Sequence, residues 1–148
     1  MSKFRKILLS IAAIFTIVAL FLYGVYGGTK MERNFAKYKD ERLEMIEMLK
    51  NGEIKKEGSL FYPTPPEYRG ANVDPYIHAK MYENRHFVFF QWVDSPNFGP
   101  GLIEGFLYTS TGEPPTIKEF SYLAGCEFKK IEGEENWYFA SDDSGYYD

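Results

Sequence analysis

His86-Phe87-Val88-Phe89-Phe90-Gln91-Trp92-Val93 is the stretch on which the reading of the fold turns. Its apolar residues do not alternate with polar ones, so both faces of the segment ask to be covered, which is the pattern of a central strand between two layers. Leu102 to Thr109 reads as a second strand of the same kind. The link between them, Asp94 to Gly101, is eight residues long and holds two prolines and two glycines. A parallel return would need a crossover of roughly a dozen residues or more, so the two strands are expected to pair antiparallel.

Working outward towards the C-terminal side, Thr116 followed three residues later by Glu119 is a capping-box pattern. It predicts a short helix through Ile117, Phe120 and Leu123 that stops at Gly125. Cys126 to Ile131 and Trp137 to Ser141 then read as a hairpin turning at Glu132 to Asn136.

Towards the N-terminal side, Tyr76 to Tyr82 suits either a short strand or a helical turn, and Arg69 to Pro75 reads as loop. Gly58 to Tyr62 suggests a first strand, whose ladder Pro63, Pro65 and Pro66 break because proline has no amide donor. Lys30 to Lys50 has helical periodicity: Met31, Phe35, Tyr38, Met45, Ile46 and Leu49 form an apolar stripe, and Asn51-Gly52 ends it. The stripe needs a partner, either the sheet or a second copy in a coiled coil of about three heptads. The expectation is an α+β fold, with an N-terminal transmembrane helix and a membrane-proximal amphipathic helix packed on an antiparallel sheet of four to five strands.

The transmembrane expectation comes from Ile7 to Tyr26, twenty residues without a charge, twelve of them Ile, Leu, Val or Phe. A helix of that length spans about 30 Å, the hydrocarbon thickness of a bilayer. A cleaved secretory signal is the competing reading, because Lys3, Arg5 and Lys6 precede the run, but a signal core is usually only about 7 to 15 residues long. Lys30, Arg33, Lys37, Lys39 and Arg42 lie on the other side, so a bare count of basic residues opposes an exported domain. The three early charges abut the membrane directly, which places the N-terminus in the cytoplasm and the remainder outside. The domain reading is a basic tail over 1–6, an anchor over 7–28, one α+β domain over 29–141 and a flexible acidic tail over 142–148.

Beyond residue 28 the chain carries 14 basic and 21 acidic residues, a formal charge of −7. That balance argues against nucleic acid or anionic lipid headgroups as ligands. Cys126 is the only cysteine, which excludes an intramolecular disulfide, and among apolar neighbours it reads as an inert thiol. No serine elbow, phosphate-cradling loop or metalloprotease signature is present. His78 and His86, even with Glu83 or Asp94, lack a recognised ligand spacing, and Asp142, Asp143 and Asp148 lack the alternation of a calcium loop. No catalytic residue, metal or cofactor is therefore expected.

Aromatic residues make up 18% of the chain. Phe87, Phe89, Phe90, Trp92, Phe106 and Trp137 suit a core, whereas Tyr62, Tyr68 and Phe98 fall beside proline turns, where rigid rings serve protein recognition. The sequence thus points to a single-pass, membrane-anchored binding or accessory module of the cell envelope that recognises another protein through an acidic, aromatic-rich surface. An immunity-type inhibitor of a toxin belongs to this class, since acidity steers encounter with a basic target. A small anchored enzyme and a homo-oligomerising structural component are the alternatives.

Overall fold

The computed structural model describes residues 12–18, 28–59, 61–92 and 103–142. The chain divides into two units, Met1–Lys37 and Tyr38–Asp148. In the first, residues 12–18 are helical. The rest of the expected span over 7–28 lies outside the described residues, apart from Gly28. Among the described residues no helix is long and apolar enough to cross a membrane. The helix Lys30–Lys50 opens on a capping box: the Thr29 N–H donates to Glu32 Oε2 at 2.6 Å and the Glu32 N–H to Thr29 Oγ1 at 3.2 Å. It closes as the Asn51-Gly52 pair predicts. Gly52 takes φ +72°, its N–H bonds the Leu49 carbonyl and the Glu53 N–H bonds that of Met48, the paired closure of a glycine-capped helix end.

The second unit is a six-stranded sheet with the strand order β1-β2-β3-β4-β6-β5, every neighbouring pair antiparallel. The strands are β1 Phe61–Pro63, β2 Tyr76–Met81, β3 His86–Gln91, β4 Glu104–Thr109, β5 Glu127–Lys130 and β6 Trp137–Ser141. The antiparallel pairing of β3 with β4 and the terminal hairpin stand as the sequence implies. Six strands replace the expected four to five, because Tyr76–Met81 extends to pair with β1 on one side and β3 on the other. Val93, Leu102 and the 94–101 link lie outside the described residues.

Register separates two faces. On one, Phe106 sits opposite both Phe90 and Phe139, and the helix from Tyr38 onward covers it with buried Met45, Ile46 and Leu49. Arg42 is buried here too. Its guanidinium stacks 4.2 Å over the Phe106 ring and Nε donates to the Ala71 carbonyl at 3.0 Å, while burial brings its pKa down to about 9. The stripe is therefore core over this segment, with one cation laid flat on an aromatic ring. On the other face Phe87, Phe89, Leu107, Tyr138 and Ala140 are covered by Phe120 and Leu123.

That cover is not the helix expected from Thr116. The capping interaction forms, with Glu119 Oε2 accepting from the Thr116 N–H and hydroxyl at 2.8 and 2.9 Å. Phe120 then turns to φ −144°, ψ 78°, and only a 3₁₀ turn, Ser121–Leu123, follows. A helix of about eight residues gains too little from its own backbone to offset its nucleation. Burying Phe120 and Leu123 in the sheet decides the path instead, and Arg85 fastens it by pairing with Glu119 at 2.7 Å.

Both sheet edges are blunted. β1 is three residues long, contains Pro63, and is bridged by Glu57 from the preceding turn; β5 carries Lys129 and Lys130. Short, charged or proline-bearing edges discourage pairing with another chain.

Candidate recognition site

Beside β1 the second face loses its cover. β1 and β2 place Phe61 opposite His78 and Pro63 opposite Tyr76, so Phe61, Tyr76 and His78 share that face. His78 is buried between rings: Tyr122 stacks on it at 3.6 Å and 14°, and Phe61 meets it edge-on at 5.1 Å. Phe61 in turn leans on Tyr76 at 5.9 Å. The outer two rings stay open to solvent, Phe61 at 38% and Tyr76 at 39%. The result is an aromatic patch resting on the buried His78 and the half-buried Tyr122 stacked against it.

A polar plug holds this patch in place. Asn72 is fully buried; its amide nitrogen donates to Thr64 Oγ1 at 2.7 Å and to the Asp74 and Tyr76 carbonyls at 3.0 and 2.9 Å. Its oxygen accepts from the Gln91 N–H at 2.6 Å. Asp74 Oδ1 takes the Tyr76 N–H at 2.7 Å, and Oδ2 lies 3.8 Å from His78 Nε2, within ion-pair range but long for a direct hydrogen bond. Burial draws the Asp74 carboxyl upward. His78, the Tyr76 N–H and the Arg69 charge outweigh it and leave the pKa below the ordinary carboxylate value.

The same neighbourhood holds two acids that are hard to ionise. Burial, with the charges of Asp74, Cys126 and Asp142, pushes the Tyr122 phenol up to about 12. Burial and Asp142 push the Cys126 thiol up to about 11. At neutral pH such a thiol holds on the order of 100-fold less thiolate than an ordinary cysteine. Alkylation of Cys126 by iodoacetamide at pH 7.5 is accordingly expected to run more than tenfold slower than that of glutathione. A rate equal to that of glutathione would mark Cys126 as a reactive nucleophile.

Of the residues singled out from the sequence, Tyr62 lies buried in β1 opposite Ile77, pointing to the helix face. Tyr68 lies in a 3₁₀ turn, where a hydrogen bond to Glu44, then burial and the charges of Glu44, Glu67 and Glu41, raise its pKa. Phe98 lies outside the described residues. The structure does not bring Tyr62 and Tyr68 to one surface. His78 and His86 fall on opposite faces, since His86 pairs with Met81, three positions along β2. Among the described residues no group of three or more His, Cys, Asp or Glu is placed to hold a metal ion.

Phe61, Tyr76 and the His78–Tyr122 stack were not singled out in the sequence. Tyr76, His78 and Lys80 do alternate as one strand face would, but nothing in the linear pattern pairs them with Phe61 or brings Tyr122 from 44 residues away. Comparison with protein-family models, with curated proteins and with solved structures gives no match.

Proposed function

We propose that the chain is a membrane-anchored recognition module that binds another protein of the cell envelope through the Phe61–Tyr76 patch, without catalysis. The observation that carries this reading is the pair of solvent-open rings seated on the buried His78 ring, which stacks on half-buried Tyr122. Rings held rigidly lose little conformational entropy on binding, which is why aromatic side chains dominate interface energetics. The anchor rests on the uncharged run Ile7 to Tyr26, the placement outside the cytoplasm on the basic residues that precede it, and the −7 charge of the remainder supports a basic partner surface.

The test is in-cell crosslinking from a photo-reactive residue at Phe61 of the full-length, membrane-bound chain. A discrete foreign adduct, lost when Tyr76→Ser is added, is expected. Phe61→Ser with Tyr76→Ser should leave the urea midpoint within the equivalent of ~1 kcal/mol, since the rings are part-exposed. No adduct, or adducts to copies of the same chain alone, would exclude the patch as a partner site.

A further inference from the structure

Two arginines of this chain already rest on aromatic rings. Arg42 lies 4.2 Å over Phe106 and Arg85 lies 4.7 Å over Phe87. In the second case a carboxylate completes the contact, because Glu119 Oε1 accepts from Arg85 Nη1 at 2.7 Å. A planar guanidinium suits such a place: it stacks on the ring and donates in its own plane to the carboxylate beside it.

Tyr76 and Asp74 bring the same two groups together on the face of the sheet that carries Phe87. Asp74 Oδ1 accepts from the Tyr76 N–H at 2.7 Å, so ring and carboxylate belong to one turn. The buried Asn72 amide fixes that turn from beneath, donating to the Asp74 and Tyr76 carbonyls at 3.0 and 2.9 Å. Phe61 adds a second ring, 5.9 Å from Tyr76 and tilted by 59°. Both rings and the carboxylate reach solvent. The Asp74 pKa, below the ordinary carboxylate value, keeps that group charged at neutral pH. Among the described residues its only ion-pair partner is His78, at 3.8 Å, and no cation lies over Phe61 or Tyr76. Arg69, exposed and five positions back, acts on Asp74 more weakly than His78 or the Tyr76 N–H does.

We infer, on the recognition reading above, that the group this patch takes from its partner is an arginine side chain, the guanidinium stacked on Tyr76 beside Phe61 and paired with Asp74. Charge complementarity selects it. The acidic balance of the chain beyond residue 28 draws a basic partner. At the patch the rings alone would accept any apolar group, but an apolar side chain would cover the Asp74 carboxylate without pairing it, which costs free energy. Lysine fits less well, as a compact ammonium that must shed tightly held water to rest on a ring.

A peptide stands in for the partner in the test: acetyl-Gly-Arg-Gly-amide, titrated into the full-length chain in lipid nanodiscs and read by the chemical shift of the Tyr76 amide. A saturable shift is expected, with about tenfold weaker binding for the citrulline analogue, which keeps the shape without the charge, and several-fold weaker binding for the lysine peptide. An exposed cation–π contact and a part-exposed ion pair together make a factor of roughly that size. Affinity should fall about tenfold in Asp74→Asn, whose side-chain oxygen can still accept from the Tyr76 N–H, and as far in Phe61→Ser with Tyr76→Ser, which keeps Asp74. It should persist in Glu83→Gln, which removes the same charge beyond the other end of β2. Citrulline or lysine binding as tightly as arginine, affinity unchanged in Asp74→Asn or in the ring variant, or no saturable shift would overturn the arginine contact. Recognition and the arginine contact fail separately. If a photo-reactive residue at Phe61 captures a foreign protein and Asp74→Asn leaves that capture unchanged, the arginine contact falls and recognition stands. If the arginine peptide binds as expected but Phe61 captures nothing, recognition falls.

Discussion

Asn72→Leu should lower stability by about 4 kcal/mol, enough to leave the domain partly unfolded at 37 °C, although leucine has a similar volume. The single amide serves the Thr64 hydroxyl, the Asp74 and Tyr76 carbonyls and the Gln91 N–H, all at 2.6 to 3.0 Å, with no exposure to water. Each buried partner that loses its bond costs roughly 1–3 kcal/mol, against a total of about 5–15 kcal/mol for a whole domain. Asn72→Asp should do no better, because it keeps the acceptor for Gln91 but turns a carboxylate towards two carbonyls. The readings are the urea midpoint and hydrogen exchange at the Gln91 amide. Exchange should accelerate in both variants, and the Tyr76 side of the patch should loosen with it. A loss under 1 kcal/mol would mean that water takes over the role of the amide and that Asn72 does not organise the site.

Gly105→Ala comes second, at about 3 kcal/mol, with a fall in Tm of roughly 10–15 °C for a domain of this size. A Cβ on Gly105 would meet the Phe89 ring at 2.7 and 2.9 Å and would press still closer on the Phe90 carbonyl oxygen. The ring can turn, but the carbonyl belongs to the β3–β4 ladder and cannot move without breaking it. A double-mutant cycle with Phe89→Leu separates the two: shortening the ring should recover only part of the loss from Gly105→Ala. Full recovery would show the ring as the whole obstacle and the backbone as free to shift. Glycine within a strand here reflects this close approach, the usual reason a strand interior tolerates it.

How much of this was legible follows from where each signal resides. The strand over His86 to Gln91, its antiparallel partner, the hairpin after Cys126 and the glycine-capped end of the long helix are local patterns: apolar runs, link lengths and turn residues. They emerge as read. The helix expected from Thr116 does not, since the capping box it was read from holds only one turn and tertiary burial of Phe120 sets the chain beyond. Arg42 enters the sequence reading only as one of the basic residues beyond the apolar run; its burial on Phe106 depends on the Ala71 carbonyl, which no linear pattern reveals.

The candidate site shows the same division more sharply. Tyr62 and Tyr68 stand beside prolines in the sequence, yet the register of a three-residue strand decides that Tyr62 turns inward and its neighbour Phe61 outward. A shift of one residue exchanges the two faces, and nothing local sets that register. By itself, then, the sequence determined the α+β class, the antiparallel order of its central strands, the net negative charge and the uncharged run from Ile7 to Tyr26, all of which are sums or short-range periodicities. The tertiary structure alone decided the sixth strand, the inward Arg42, the Asn72 plug and the aromatic patch. Each of these depends on groups tens of residues apart meeting within hydrogen-bond or van der Waals distance, and such meetings follow from how the faces pack.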